Sequence, residues 1–189
     1  MTFFSRLLRF LFFTYNDVGC FLRVVKLKLL YPGISIDFNT KIARGCSIVC
    51  VKGSTIKISG SHIYFGTQIL ADNNAAILIE DAFIGRNCCI VAHQEIIIKK
   101  GCLIAEMVVI RDQNHLVDME KENAREFFDK APVCIEENAW LASKSTVLKG
   151  VTVGKNAVLA ASAVADKNIP AGEVWGGIPA RFIKQVKIQ

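Results

Sequence analysis

Aliphatic residues recur at every sixth position through much of this chain. Between positions 135 and 164, five consecutive six-residue units begin with Ile, Leu or Val. The fifth residue of each unit is small or β-branched: Ala139, Ser145, Val151, Ala157 and Ala163. The same register occurs earlier, in units that begin at Ile42, Ile84, Ile90, Ile98, Ile104 and Ile110. A period of six fits neither an amphipathic helix nor an isolated strand, and it predicts a short strand followed by a turn.

Repeated strand-and-turn units predict an all-β solenoid. Three units make one triangular coil of about 18 residues, and stacked coils bury the first and fifth positions as continuous columns. The fourth position often holds a residue type that tolerates the positive φ of a tight turn, as at Gly45, Asn87, Gly101, Asn138, Gly150 and Asn156. Five other units lack Gly and Asn there, so more than one type of turn is expected.

Three segments interrupt the repeat and divide the chain. Residues 1–33 carry apolar residues near helical spacing and end at Pro32-Gly33, which predicts one or two helices before the solenoid. Residues 34–170 form the solenoid, from which residues 116–134 must leave as an extruded loop. Residues 171–189 form a C-terminal tail. Ordered loops of such length are more often functional than idle.

Two roles are open for the N-terminal helices. They could cap the first coil, whose core and strand edges would otherwise be exposed. They could also make a basic amphipathic contact with a membrane surface, through Arg6, Arg9, Arg23 and Lys26. No charge-free stretch is long enough to span a membrane, and no signal-peptide pattern is present. The predicted location is cytoplasmic, with peripheral contact at the inner membrane through residues 1–30 as the open alternative.

Charge and cysteine content narrow the classes of function. A net charge of +6 suits an anionic partner such as a phosphorylated cofactor, but no basic run or aromatic ladder predicts nucleic-acid binding. The seven cysteines contain no CxxC pair, which argues against a disulfide framework and a zinc site. Cys46, Cys88 and Cys102 fall at the small fifth position of their units, where cysteine acts as a compact buried hydrophobe. No metal is expected.

Candidates for chemistry lie beside the extruded loop. His115 stands at the entry to the loop, where an imidazole suits a general base near neutral pH. On spacing alone, an exposed loop histidine is an equal interpretation. Asp112 could orient that imidazole or could form a local turn. His93 occupies a corner of the coil, where it could contact an acceptor or serve only as a turn residue.

The run from Asn138 to Val158, followed by Ile169-Pro170 and Gly176-Gly-Ile-Pro-Ala-Arg181, closely resembles the C-terminal half of hexapeptide-repeat acetyltransferases. The resemblance covers roughly residues 80–184 and is to the branch with galactoside, maltose and capsule or O-antigen polysaccharide O-acetyltransferases. It implies a left-handed parallel β-helix, acetyl-CoA as co-substrate, and direct transfer of the acetyl group to a sugar hydroxyl. It also implies a homotrimer with sites between subunits.

The same resemblance assigns site residues. In that family an Asp-x-x-His-like segment before an extruded loop supplies the catalytic base, and Asp112-Gln-Asn-His115 stands at that place. The resemblance therefore favours His115 as the base. Asp112, Asn114 and His93 are further candidates for the acceptor site, beside the alternatives given above. In that family small residues at second unit positions let the pantetheine arm approach, and Ala142 and Ala160 match those positions. Basic residues bind the CoA phosphates, and the matching positions are Lys167, before Ile169-Pro170, and Arg181, after Pro179-Ala180. Asp166 departs from the family, which commonly carries Thr before the Lys.

Trp140 occupies a sixth position, which points outward from the coil. An exposed Trp usually has a partner surface. Trp140 could line the acceptor or CoA groove, or it could pack between subunits.

Three rival functions are weighed against this assignment. The zinc carbonic anhydrases of this fold need three histidine ligands, two of them five residues apart, and the fifth residue after His115 is Glu120. Transfer to the amine of an amino sugar is the second rival, although many such enzymes carry a separate N-terminal nucleotide-sugar domain. A non-catalytic scaffold is the third, and it would assign no role to His115 and Arg181.

Overall fold

The computed structural model describes residues 18–51, 53–116 and 127–186. Within these ranges the chain forms a parallel β-helix of about six coils and one short helix, α1, over residues 18–30. The all-β solenoid predicted from the repeat, and the left-handed β-helix that the resemblance implies, are confirmed. Arg6, Arg9, Glu120 and the tip of the extruded loop lie outside the described residues.

Three sheets form the faces of the β-helix, and each of the six coils contributes one strand to each sheet. The first sheet contains β1 (Ile34–Ile36), β4 (Thr55–Ser59), β7 (Ala76–Glu80), β10 (Glu95–Ile98), β15 (Val133–Ile135) and β18 (Thr152–Val153). The second contains β2 (Lys41–Ile42), β5 (His62–Ile63), β8 (Phe83–Ile84), β11 (Leu103–Ile104), β16 (Trp140–Leu141), β19 (Val158–Leu159), β21 (Glu173–Gly176) and β22 (Arg181–Gln185). The second sheet is extended by β21 and by β22, which pairs antiparallel with β21. The third contains β3 (Ser47–Cys50), β6 (Gln68–Ala71), β9 (Cys89–Ala92), β12 (Val109–Arg111), β17 (Thr146–Val147) and β20 (Val164–Ala165).

The core follows the six-residue repeat. Aliphatic first positions stack in parallel register, so that Ile98 pairs with Ile79 below it and with Ile135 above it, all three fully buried. Burial of each such side chain contributes about 1.5–3 kcal/mol relative to exposure. The first coils are longer than the expected 18 residues, since Ile34 pairs with Ile56 and Ile56 with Ile77.

The turns are more uniform than the sequence suggested. All six Gly and Asn residues at fourth positions have positive φ. Met107, Lys144 and Ser162 also have positive φ, at 60°, 61° and 59°. These three corners therefore have the same positive-φ turn as the Gly and Asn corners, because strand stacking on both sides holds even a methionine in this conformation. His93 and Gln113 are not among the residues with positive φ, so more than one type of turn is present, as expected. The remaining two units, with His93 and Gln113 at the fourth position, meet at the corner where the solenoid is interrupted.

The cysteines are free and mostly internal. Cys88 and Cys102 are buried at fifth positions, as predicted, whereas Cys46 is only half-buried. Burial raises the pKa of the Cys102 thiol to about 11, so it stays protonated at neutral pH. Cys88 and Cys102 therefore fill corners of the coil as small apolar groups.

Helix α1 packs across the first coil. Its inner face buries Cys20 and Val24 in the core, with Leu27 packed against them. The Arg23 Nε donates to the Ile42 carbonyl at 2.8 Å, and the Ile42 N–H donates to the Cys20 Sγ at 3.0 Å. The helix therefore covers the open end of the solenoid and satisfies part of its unpaired edge. No helix within residues 18–51, 53–116 and 127–186 is long and apolar enough to span a membrane.

Candidate active site

The solenoid is interrupted at the corner between the third and first sheets. After β12 the chain forms β13 (Gln113–His115), which pairs antiparallel with β14 (Phe128–Lys130). This two-stranded ribbon is anchored at its base, because the Ala131 N–H donates to the Asp112 carbonyl at 3.0 Å. Lys149 of the next coil forms an ion pair with Asp129 at 2.7 Å. The extruded segment thus leaves and re-enters the coil as ordered strands.

Asp112 holds the corner below the ribbon. Its side chain is fully buried, and its carboxylate accepts three backbone hydrogen bonds, from the N–H groups of His93 (2.8 Å), Gln94 (2.7 Å) and Glu95 (2.7 Å). Hydrogen bonds to an ionised carboxylate are among the stronger ones in proteins. The carboxylate therefore fixes the backbone that carries His93.

Phe128 brings the two histidines of this corner together. Its ring centroid lies 4.2 Å from that of His93 and 4.5 Å from that of His115. His115 pairs with Phe128 across the ribbon and is exposed, whereas His93 is half-buried in the coil below. Asn114 is exposed and faces Asp129 across the ribbon. Two imidazoles on separate coils thereby border one surface.

A pocket of about 350 Å³, called here the histidine pocket, opens beside these rings. It extends over strands of the first four coils along the third sheet, and its lining comprises Ser47, Val49, Gln68, Ile69, Leu70, Cys89, Val91, His93, Arg111, Gln113, His115 and Phe128. Arg111 is the one side chain with a fixed charge among these residues. The Gln113 Oε1 is buried and has no hydrogen-bond partner among the described residues. Such a lining suits a polar ligand that carries a hydrogen-bond donor.

The environment of His93 favours its neutral form. Burial lowers the pKa of His93 below the ordinary histidine value of 6.5, although the charges of Asp72 and Asp112 oppose the shift. Asp72 stands in the coil below, next to Ala71, which pairs with Ala92. A neutral imidazole can accept a hydrogen bond or a proton at neutral pH.

We expect the His93 imidazole to titrate below pH 6.5, because burial penalises the imidazolium. Since the folded-state pKa is depressed, the stability contributed by neutral His93 is present above the unfolded-state pKa and is lost as pH falls through the folded-state pKa. The measurement is an NMR titration of the imidazole carbons, with His93→Gln as the assignment control. A midpoint at or above 6.5 would contradict this prediction.

The residues predicted to bind CoA lie at another corner. Ala142 and Ala160 follow β16 and β19, where the second sheet turns into the third. They occupy consecutive coils, and a Cβ on Gly176, one coil further, would lie 3.2 Å from the Ala160 Cβ. These small residues form a closely stacked column. Lys167 and Arg181 are exposed, and Arg181 forms an ion pair with Asp166 at 3.2 Å.

Trp140 lies on the outer face of the second sheet and is 47% exposed. Its neighbours there are Leu103 in the coil below and Val158 in the coil above. It does not line the histidine pocket. One chain therefore brings together His93, Asp112 and His115, but leaves Trp140 and the predicted CoA residues on other surfaces.

Phe128, Arg111 and Gln113 are among the pocket residues that the sequence does not predict. Phe128 is separated from His115 by the extruded segment, so no spacing rule connects them. The apolar pair Phe127-Phe128 within a charged run was the available signal. Within the described ranges, no cluster of three or more His, Cys, Asp and Glu side chains is arranged to bind a metal ion. His62 lies on β5 in the second sheet, outside the pocket.

Sequence relatives of this chain are acetyltransferases. A Saccharomyces cerevisiae protein provisionally named as an acetyltransferase is 30% identical over 128 residues, which cover 67% of this chain and 58% of that protein. The galactoside O-acetyltransferase of Escherichia coli K12 is 29% identical over 127 residues, which cover 67% of this chain and 56% of the enzyme. The chain thus spans less than two thirds of the length of these curated relatives. No protein-family model matches it.

Solved structures share the fold. The Bacillus cereus N-acyltransferase AntD, in complex with dTDP and 3-hydroxybutyryl-CoA, superposes with a TM-score of 0.70 at 16% identity over 86% of this chain and 87% of that one. A hexapeptide-repeat acetyltransferase from Vibrio cholerae, in complex with acetyl-CoA, has a TM-score of 0.56 at 22% identity over 82% and 72% of the two chains.

Together these similarities define the class of protein. The homologues of this chain are hexapeptide-repeat acetyltransferases, and the family predicted from the sequence is confirmed.

Proposed function

We propose that this protein is an acetyl-CoA-dependent O-acetyltransferase that acts on a hydroxyl group of a sugar, in a bacterial capsular or O-antigen polysaccharide. The observation that carries the proposal is the placement of His93 and His115 around Phe128, at the corner where β13 and β14 leave the β-helix. Homology to acetyltransferases supplies the donor class.

His115 is the general base in this proposal. Its imidazole takes the proton from the acceptor hydroxyl while the hydroxyl oxygen attacks the thioester carbonyl of acetyl-CoA. The tetrahedral intermediate collapses with cleavage of the C–S bond, and the departing CoA sulfur takes up the proton. The products are an acetyl ester and free CoA thiol, so the reaction balances without an oxidant or a reductant.

Other residues of the pocket would bind and position the acceptor. His93, neutral at physiological pH, accepts a hydrogen bond from a second hydroxyl, and Asn114 contacts the sugar at the exposed edge. Asp112 acts indirectly, because its carboxylate holds the backbone of residues 93–95. Arg111 adds a positive charge to a pocket lining without carboxylates. This charge suits an anionic polysaccharide.

We place acetyl-CoA along the column of Ala142 and Ala160, where the absence of long side chains lets the pantetheine arm approach the backbone. Lys167 and Arg181 would contact its phosphates, and Arg181 would exchange Asp166 for a phosphate oxygen. Because this corner and the histidine pocket lie on different parts of one chain, we propose that the site is completed between subunits of a homotrimer. Trp140 would then face the neighbouring subunit.

Completion of the site between subunits predicts complementation between inactive variants. His115→Ala and Arg181→Ala each damage a different half of the site, so co-expressed chains should regenerate about a quarter of the intact sites if subunits mix randomly. Turnover is measured at acetyl-CoA concentrations below the KM, where loss of a phosphate contact lowers the rate. An activity equal to the mean of the two separate variants would place both halves within one chain.

Transfer to an amine is the second candidate, since the AntD N-acyltransferase shares the fold. The two products differ in chemistry, because an acetyl ester is cleaved by mild alkali or hydroxylamine and an acetamide is not. The chemical stability of the product therefore separates the candidates.

The test is incubation with acetyl-CoA and candidate glycans, with a thiol-release readout and mass spectrometry of the product. We expect a gain of about 42 Da per modified sugar, from the reaction class, and loss of that gain after mild alkali. An acceptor-free reaction corrects for the protein's own free cysteines. Unchanged glycans across neutral and anionic polysaccharides would overturn the substrate assignment.

A further inference from the structure

Helix α1 is apolar on two opposite sides. Its inner side packs on the first coil through Cys20, Val24 and Leu27. At 3.6 residues per turn, Val18, Leu22 and Leu29 lie on the side opposite to these residues. They are exposed by 54%, 59% and 80%, and Phe21 and Leu30 on the flanks are also exposed. These five exposed side chains are called the outer face of α1. A helix that is apolar on both sides is normally covered on both.

The charged residues of α1 have one sign. Residues 18–30 include Arg23, Lys26 and Lys28 and contain no Asp or Glu. Arg23 is turned toward the solenoid by its hydrogen bond to the Ile42 carbonyl. Lys26 and Lys28 are exposed beside the outer face, and the Lys28 Nζ lies 4.9 Å from the ring centroid of Phe38. Phe38 is itself exposed and stacks on Phe21 at 5.4 Å, so the apolar surface continues onto the first coil.

We propose that the outer face of α1 docks on an anionic membrane surface. An apolar stripe flanked by lysines is the arrangement of a helix that lies in the membrane interface, with apolar side chains among the acyl chains and ammonium groups at the lipid phosphates. The buried inner side of α1 keeps the β-helix attached to the docked helix.

The position of the pocket agrees with docking at this end. The pocket begins at Ser47 of β3, in the coil that α1 covers, and reaches Arg111 three coils further. Neighbouring strands are about 4.8 Å apart, so this distance is about 15 Å. A glycan anchored in the docked membrane would enter the pocket at the first coil and reach His115 with its distal sugars. This acceptor, a lipid-linked glycan, rests on the proposed function, whereas docking itself does not.

Vesicle flotation with the full-length chain tests the docking, and it requires no turnover. We expect co-flotation with phosphatidylcholine–phosphatidylglycerol vesicles, much weaker binding to pure phosphatidylcholine, and release by high salt. Each lysine near an anionic surface is worth about 1 kcal/mol, or about fivefold in binding, so Lys26→Gln/Lys28→Gln should weaken it about 25-fold. Leu22→Glu/Leu29→Glu should abolish it while leaving thermal stability and turnover of a water-soluble acceptor unchanged.

The matched control is Phe182→Glu/Ile183→Glu, which introduces the same charges at two exposed apolar positions of β22, at the other end of the solenoid. It should bind vesicles like the wild type. Equal binding of the wild type to neutral and anionic vesicles, or no binding to either, would overturn the proposal. So would wild-type binding by the Leu22→Glu/Leu29→Glu variant. A change in oligomeric mass for that variant, without vesicle binding by the wild type, would make the outer face a contact between copies of the chain.

Discussion

Replacement of His115 by alanine is expected to lower kcat by about 10²–10⁴-fold, the usual contribution of a positioned general base. Without the imidazole, the acceptor hydroxyl must attack the thioester while it still holds its proton. Because His115 is exposed on β13, its removal leaves no cavity in the core and should not change the melting temperature. The measurement is steady-state thiol release at saturating acetyl-CoA and acceptor.

The matched control is His62→Ala, since His62 is likewise exposed but lies on β5 in the second sheet. It should keep wild-type kcat. The pH profile adds a second readout, because loss of the base should remove the acidic limb of the kcat profile. A His115→Ala variant within threefold of wild-type kcat, or one that retains the acidic limb, would assign the base to another group. His93→Ala would then be the next variant to measure, since both imidazoles contact Phe128.

The solenoid itself was predictable because its packing is local and repetitive. Each unit meets the same constraint, an aliphatic residue inward and a small residue beside the corner, so the register could be read without knowledge of distant contacts. The turn at Met107 was not predictable in the same way. Its positive φ is imposed by the strands stacked above and below it, and residue type alone gives no sign of that constraint.

The candidate site was predictable only in part. His115 was found because it adjoins an interruption of the repeat, and Asp112 because it falls in the same short segment. The sequence left open whether Asp112 orients an imidazole or stabilises a turn, and the structure places its carboxylate on three backbone N–H groups. Phe128 lies beside His115 only because β13 and β14 pair as an antiparallel ribbon. Such a pairing depends on the path of the intervening segment.

The sequence does not predict which surfaces of the chain meet in an assembly. A repeat assigns each residue to a sheet or corner, and it correctly puts Trp140 on an outer face. It does not say which outer faces meet when chains assemble. The predicted CoA residues and the histidine pocket are therefore connected by the proposed trimer, which the complementation experiment tests.

Replacement of Asp112 by alanine is expected to destabilise the protein by about 3 kcal/mol and to impair catalysis at temperatures where the protein is still folded. The variant loses three hydrogen bonds to an ionised acceptor, and donors left partly buried cost about 1–3 kcal/mol each unless water replaces the carboxylate. For a chain of this size the melting temperature should fall by about 6–12 °C. Because the N–H groups of His93, Gln94 and Glu95 lose their common acceptor, His93 should also lose its fixed position.

Asp37→Ala provides the matched control, because Asp37 lies at the corner between β1 of the first sheet and β2 of the second sheet. Its carboxylate accepts hydrogen bonds from the Thr40 N–H (2.8 Å), the Thr40 hydroxyl (2.6 Å) and the Gly60 N–H (3.0 Å), and none of these residues lines the pocket. Both variants should lose thermal stability, but only Asp112→Ala should raise the KM for the acceptor and shift the His93 titration. If the two variants lost stability equally and both kept wild-type kinetics, Asp112 would stabilise the fold without positioning the site.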